Sequence, residues 1–189
     1  LLIAHRNSKR LADLINDLLD IEQISRGQLT MFLEDVNVKS KLEHVLSAIE
    51  PYAQTLGVSL QQQDCDPSWQ VRADRKRLNQ VLTNLLSNAI KYSPRGGQVT
   101  VRTQCHGDRL RISVDDQGPG VPKEFEARLF QQFSRADSSD HRRVGGTGLG
   151  LAISKELIER MQGEIGYQAL QPHGACFYIE LPLLPVNAQ

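Results

Sequence analysis

The sequence predicts an α+β fold: a two-layer α/β sandwich in which helices back one mixed sheet, with a bundle helix ahead of it. Three observations predict it. Apolar residues recur three or four apart in the opening segment and again over 75–92, the helical period. They alternate with period two over 99–103 and 110–114, on either side of a Gly107-Asp108 turn. Helical and extended stretches are interspersed rather than segregated, which favours one mixed sheet with its helices on one face.

Taken in order, residues 1 to about 25 read as a helix. Leu11, Leu14, Ile15, Leu18, Ile21 and Ile24 form its stripe, and Gly27 is placed to stop it. One helix cannot bury such a stripe alone, so the stripe calls for a partner in a bundle or coiled coil. Leu29 to Leu33 reads as a short strand. Asn37 is placed to cap a helix from Val38 to about Thr55. Strands follow at Val58–Gln62 and Trp69–Ala73. Asp74 then caps a long helix, Arg75–Tyr92, that ends before Pro94, Gly96 and Gly97. After the hairpin, Lys123–Phe130 reads as a short helix and Ser134–Gly146 as a polar, mobile loop. A helix over Leu149–Met161 and strands at Glu164–Gln168 and Cys176–Leu181 complete the chain. The organisation expected is a helix at 1–27, a catalytic-size domain at 28–184 and a tail at 185–189.

Lys plus Arg and Asp plus Glu both number 22 in 189 residues, so the formal net charge is zero. That balance supplies no bulk field for nucleic acid, and an anion must be met by a local site. Cys65, Cys105 and Cys176 show no metal-ligand or redox spacing and fit a reducing, cytoplasmic compartment. No apolar run approaches a membrane span. The chain opens on Leu1-Leu2 and reads as a piece of a longer parent, which leaves inner-membrane anchoring of that parent open.

Three stretches carry chemistry. Asn84 and Asn88, four apart, share a face of the long helix, and Lys91 and Tyr92 continue it. Amides beside an apolar core need partners, at about 1–3 kcal/mol for each unsatisfied group. An amide oxygen suits magnesium, a lysine suits phosphate and a tyrosine can cover a base. A rim position bonded to water or backbone is an equal reading. Asp116, in Asp116-Gln117-Gly118-Pro119-Gly120, continues the inward face of Leu110, Ile112 and Val114. A buried carboxylate needs donors, and a purine amino group or local backbone amides would serve. Asp115, on the other face, is expected to be solvated. Gly145-Gly146-Thr147-Gly148-Leu149-Gly150 places four glycines in six residues before a helix, an arrangement suited to an anion. No Lys-Ser or Lys-Thr follows, so this is not a Walker loop.

Together, in this order, these stretches resemble the GHKL ATPase superfamily and, within it, the ATP-binding catalytic domain of sensor histidine kinases. Asn84–Tyr92 matches the N box, Asp116–Gly120 the G1 box, Phe130-Gln131-Gln132-Phe133 the F box and Gly146–Leu151 the G2 box. Gly174-Ala175-Cys176-Phe177 is similar to the closing strand motif. The resemblance implies a Bergerat-type fold binding ATP and Mg2+. It implies that Asn88, supported by Asn84, holds the metal, that Lys91 meets phosphate and that Tyr92 lies against adenine. Asp116 would accept from the adenine amino group, with Gly118 and Gly120 shaping that pocket. Ser134–Gly146 would be the ATP lid, with Phe130 and Phe133 packing its base. Thr147, Gly148, Leu149 and Gly150 would face phosphate, and Arg142 or Arg143 would reach the γ-phosphate. Residues 7–20 resemble the second helix of the dimerisation and phosphotransfer hairpin, which implies a homodimeric parent, a response regulator as partner and no nucleic acid.

The family's acceptor histidine is followed by an acidic residue and soon by Arg-Thr-Pro or Arg-Ser-Pro. His5, His44, His106, His141 and His173 all lack that context. The parent's own phosphotransfer helix is therefore expected outside this sequence, and the 189 residues are expected not to phosphorylate themselves. The resemblance also implies slow hydrolysis. Superfamily members that hydrolyse ATP place a glutamate where this chain has Asn84, and an amide cannot take a proton.

Overall fold

The computed structural model describes residues 2–134 and 147–185, with the side chains of residues 2–10 and 13 left aside. Helix α1, Leu2–Ser25, ends at Gly27, whose φ of 65° only glycine adopts without strain. Strand β1, Leu33–Asn37, leads into α2, Val38–Leu56. Strands β2, Ser59–Gln62, and β3, Gln70–Asp74, precede α3, Arg75–Tyr92. The hairpin of β4, Gln98–His106, and β5, Arg109–Asp115, is followed by α4, Lys123–Glu126. Helix α5, Gly150–Arg160, and strands β6, Glu164–Ala169, and β7, Ala175–Pro182, close the fold.

Five strands form one mixed sheet in the order β2-β4-β5-β7-β6. Only β2 runs parallel to its neighbour; the other pairings are antiparallel. Strands β1 and β3 make a separate antiparallel ribbon, joined to the end of β7 by a Val71–Leu183 bridge. The core lies between the sheet and α2, α3 and α5. Leu82, Leu85, Leu86 and Ile90 of α3 are fully buried, as are Leu110, Ile112 and Ile179 of the sheet. The opposite sheet face is polar: the Arg111 guanidinium stacks 3.9 Å from the Tyr178 ring centroid and pairs with Glu180. Helices on one face only make this the expected two-layer sandwich.

Two elements differ from the sequence reading. The first strand begins at Leu33 rather than Leu29. Leu29 is buried in coil, and pairing with β3 over Leu33–Asp74 to Asn37–Gln70 decides where extended structure starts. The helix read as Lys123–Phe130 stops at Glu126, and the chain turns so that Leu129 drops into the interior. Both helix caps read from sequence are formed. Asn37 Oδ1 accepts from Ser40 N, and Asp74 Oδ1 accepts from Lys76 N and Arg77 N. Asp74 Oδ2 also accepts from Phe32 N at 2.9 Å, so one carboxylate starts α3 and pins the segment before β1.

Candidate functional site

Helix α3 buries one stripe and turns the next toward a cleft of about 470 Å³. Asn84, Asn88 and Lys91 line it in successive turns, with Tyr92 beside them, because residues three and four apart share a helix face. The Lys91 ammonium sits 5.0 Å from the Tyr92 ring centroid. Asp116, from the end of β5, closes one end of the cleft. Thr147, Gly148 and Gly150, at the start of α5, close the other.

Asp116 is 5% exposed. Its Oδ1 accepts from Gly118 N at 2.8 Å and Ala175 N at 3.1 Å. Its own N–H donates to the Ala175 carbonyl, so the turn after β5 is laced to the start of β7. The backbone-amide reading of this aspartate is the one formed here, with Oδ1 secured. Burial pushes the carboxyl above its ordinary 3.8; the two amides pull it back part of the way, and Asp115 adds a smaller push upward.

Asn84 is built into the wall. Its Nδ2 donates to Ser154 Oγ at 3.0 Å, and Ser154 is 2% exposed. Its Oδ1 rests against Gly150, where any Cβ would collide with it. Any larger residue at 150 would force Asn84 to shift for α3 and α5 to approach this closely. Among the described residues no side chain caps α5 at Leu149, and its first-turn N–H groups, which have no partner inside the helix, begin at the cleft.

Some expected residues stand elsewhere. Gly118 lies behind the cleft wall; a Cβ there would come 2.7 Å from the Tyr92 carbonyl, so it is the packing point between α3 and the turn. Leu149 is fully buried and points into the core, and its N–H donates to Thr147 Oγ1 at 3.1 Å rather than facing the cleft. Gly120 lines the cleft. Asp115 is not simply solvated: its carboxylate is mostly covered and pairs with Arg102 at 2.5 Å across the β4–β5 ladder. Phe125 and Leu129 line the cleft and Phe133 is exposed; the packing expected of Phe130 and Phe133 at the base of 134–146 involves residues outside those described. Arg142, Arg143 and the rest of 135–146 lie outside the described residues.

Sequence reasoning missed several lining residues. Phe125 and Leu129, four apart in an expected helix, carried a usable signal. Tyr52 of α2, Ser154 of α5 and Asp17 of α1 carried none, because tertiary packing alone brings them here.

A family model described as histidine kinase-, DNA gyrase B-, and HSP90-like ATPase matches residues 73–185. The circadian input-output histidine kinase CikA of Synechococcus elongatus is 37% identical over 181 residues, which cover 94% of this chain and 24% of that protein. Sensor protein GacS of Pseudomonas syringae pv. syringae is 40% identical over 186 residues, covering 94% of this chain and 20% of its own. The chain thus spans about a quarter or less of these curated relatives. Full-length ShkA in complex with AMPPNP superposes with a TM-score of 0.83 at 30% identity, over 97% of this chain and 38% of that one. The nucleotide-free catalytic domain of histidine kinase ThkA superposes at 0.70 and 27% identity, over 80% of this chain and 96% of that one.

Proposed function

This chain belongs to the histidine kinase-, DNA gyrase B-, and HSP90-like ATPase family, and from that premise we propose that its cleft holds Mg-ATP as the phosphoryl donor of a sensor histidine kinase. One observation carries the reading: the same cleft has a buried carboxylate beside the Tyr92 end of α3 and, where Asn84 meets Gly150 two turns back, the start of α5, with Lys91 on the α3 wall. An amino-bearing purine suits the first end and a polyphosphate the second. Tyr92, partly exposed at the rim, offers its ring to the base.

The donor chemistry fits magnesium. Among the described residues no group of three His, Cys, Asp or Glu could hold a metal alone. Magnesium bound with a nucleotide needs only one or two protein oxygens beside the phosphates. Asn88, with Asn84, would supply them, and the ion would contribute neutralisation of phosphate charge. The protein's own part is to seat the base at Asp116, to aim amides at the phosphates and to keep a hydrolytic base away. Asn84 cannot accept a proton, and its amide nitrogen is already committed to Ser154.

The acceptor would come from the parent's phosphotransfer helix. His44, His106 and His173 are exposed, and none lines the cleft. The exposed face of α1, with Leu11, Ile15, Leu18 and Leu19, supports a homodimeric bundle in the parent, whose product phosphohistidine would pass to a response regulator. No helix among the described residues is long and apolar enough to cross a membrane; a cytoplasmic site of action is part of the proposal.

Calorimetry with Mg-ATP tests the reading. The wild-type chain should take up one nucleotide, and Asn88→Ala should abolish the magnesium-dependent part. Steady turnover of ATP by the wild-type chain would instead favour a hydrolytic member of the family. Absence of uptake would overturn nucleotide binding altogether.

A further inference from the structure

Helix α1 reaches the cleft with a carboxylate. Asp17, half-buried, lines it, and its Oδ2 accepts from Thr147 Oγ1 at 3.0 Å. The same hydroxyl accepts from Leu149 N at 3.1 Å, so Asp17 is tied to the turn that opens α5. One turn further along α1, Asp20 is clamped to α3: Oδ1 accepts from Arg77 at 2.8 Å and Oδ2 from Gln80 at 2.7 Å. Asp20 and Arg77 are 13% and 15% exposed, so this contact is built in rather than incidental. Ile21 and Ile24 pack on the core beneath it. The docked helix therefore brings a carboxylate to the part of the cleft where α5 begins.

We propose that Asp17 and the nucleotide's phosphates compete for this end of the cleft, so that docking of α1 and nucleotide binding oppose each other. The inference rests on the nucleotide reading above. A phosphate drawn to the start of α5 meets a carboxylate already bonded to Thr147. To seat it, the chain must either tolerate two anions side by side or release the Asp17–Thr147 bond. Release weakens one of the polar links that hold α1 to the catalytic domain. By reciprocity, a helix held in its docked position lowers nucleotide affinity by the same factor. Helix α1 thus carries the state of the cleft into the bundle region, with no residue of the chemistry itself having to move.

The test is calorimetry with Mg-ATP on the wild-type chain and on Asp17→Asn, with hydrogen exchange across residues 11–25 as a second readout. The asparagine keeps an acceptor for Thr147 and removes the charge. It should bind roughly tenfold or more tightly, within the usual range for coupled sites. In the wild-type chain, saturating nucleotide should speed exchange in α1. Unchanged affinity in D17N while the wild-type chain binds normally overturns this proposal and leaves the nucleotide reading standing. Weaker, magnesium-sensitive binding in D17N also overturns it, by making Asp17 a partner of the ion. Slower exchange in α1 on adding nucleotide does so too, even if D17N fails to fold. A wild-type chain that takes up no nucleotide overturns both readings.

Discussion

Replacing Asp116 by asparagine should separate stability from binding. In the wild-type chain Oδ1 is held by Gly118 N and Ala175 N, and Oδ2 is the oxygen proposed to meet the base. Asparagine can keep its oxygen on the two backbone amides. Its amino group then stands where Oδ2 stood, presenting a donor to the cleft. A bound adenine would lose a charge-assisted hydrogen bond, about 1.5–3 kcal/mol, and two donors would face each other at a further ~1–3 kcal/mol. The sum, about 2.5–6 kcal/mol, is roughly 60-fold to 20,000-fold in affinity. Stability should move the other way. Burial raises the Asp116 carboxyl above 3.8 in the folded chain, so its stabilising contribution is complete below that value and is lost as pH rises through the raised one. At neutral pH the ionised group is a cost, and D116N should melt at the same temperature or slightly higher. Titration with ATP and with inosine triphosphate, beside a melting curve, reads all of this. The variant should prefer the purine that carries a keto oxygen. In the wild-type chain, ATP affinity should fall on acidification, beginning above the ordinary aspartate range. A folded D116N that binds ATP as tightly as wild type would refute the assignment of Oδ2 to the base.

Three further outcomes follow from the geometry. Asp74→Ala removes the α3 cap and the anchor of Phe32 N together, which should cost about 2–4 kcal/mol; thermal melting should show a fall of roughly 4–16 °C, and an unchanged melting temperature would dismiss the anchor. Gly150→Ala drives a methyl into Asn84 Oδ1 and should loosen the Ser154 contact at about 1–3 kcal/mol, with Mg-ATP affinity falling in parallel by calorimetry. Burial pushes the Cys176 thiol up to about 12 and raises Cys65 also, whereas Cys105 is exposed. Alkylation of the native chain should therefore label Cys105 alone. The raised thiols favour the folded chain below their unfolded value, and that advantage is lost as pH climbs toward the folded one, so denaturant midpoints should drop on the alkaline side.

The parts of the site that were legible in the sequence are those written into one local element. The apolar stripe of α3 and its Asp74 cap place Asn84, Asn88 and Lys91 on a single face without help from elsewhere. Alternation through Leu110, Ile112 and Val114 likewise carries Asp116 inward. The errors arise where another segment decides. Leu33 rather than Leu29 starts β1 because its pairing partner, Asp74, is 41 residues away. The Gly-Leu-Gly run reads as uniform in sequence, yet the Leu149 side chain is fully buried and its amide donates to Thr147. The contact of Asp17 with Thr147 spans 130 residues, and no local pattern encodes it.

Asn84 shows why the two ends of the cleft cannot be tuned separately. It stands on the helix that carries Asn88 and Lys91, yet its nitrogen is bonded to Ser154 and its oxygen lies on Gly150, both in α5. Any shift of α5 that follows the phosphates must therefore pull on the helix expected to hold the metal. The same α3, one turn from its start, is gripped by Asp20 through Arg77 and Gln80, and Gln80 itself lines the cleft. Helix α3 is thus the common member of three contacts: to the base end through the Tyr92 carbonyl against Gly118, to the phosphate end through Asn84, and to α1 through Arg77. A rigid, fully buried stripe from Leu78 to Ile90 makes it a bar rather than a hinge. Coupling between nucleotide and bundle helix then needs only small movements of side chains at its two ends.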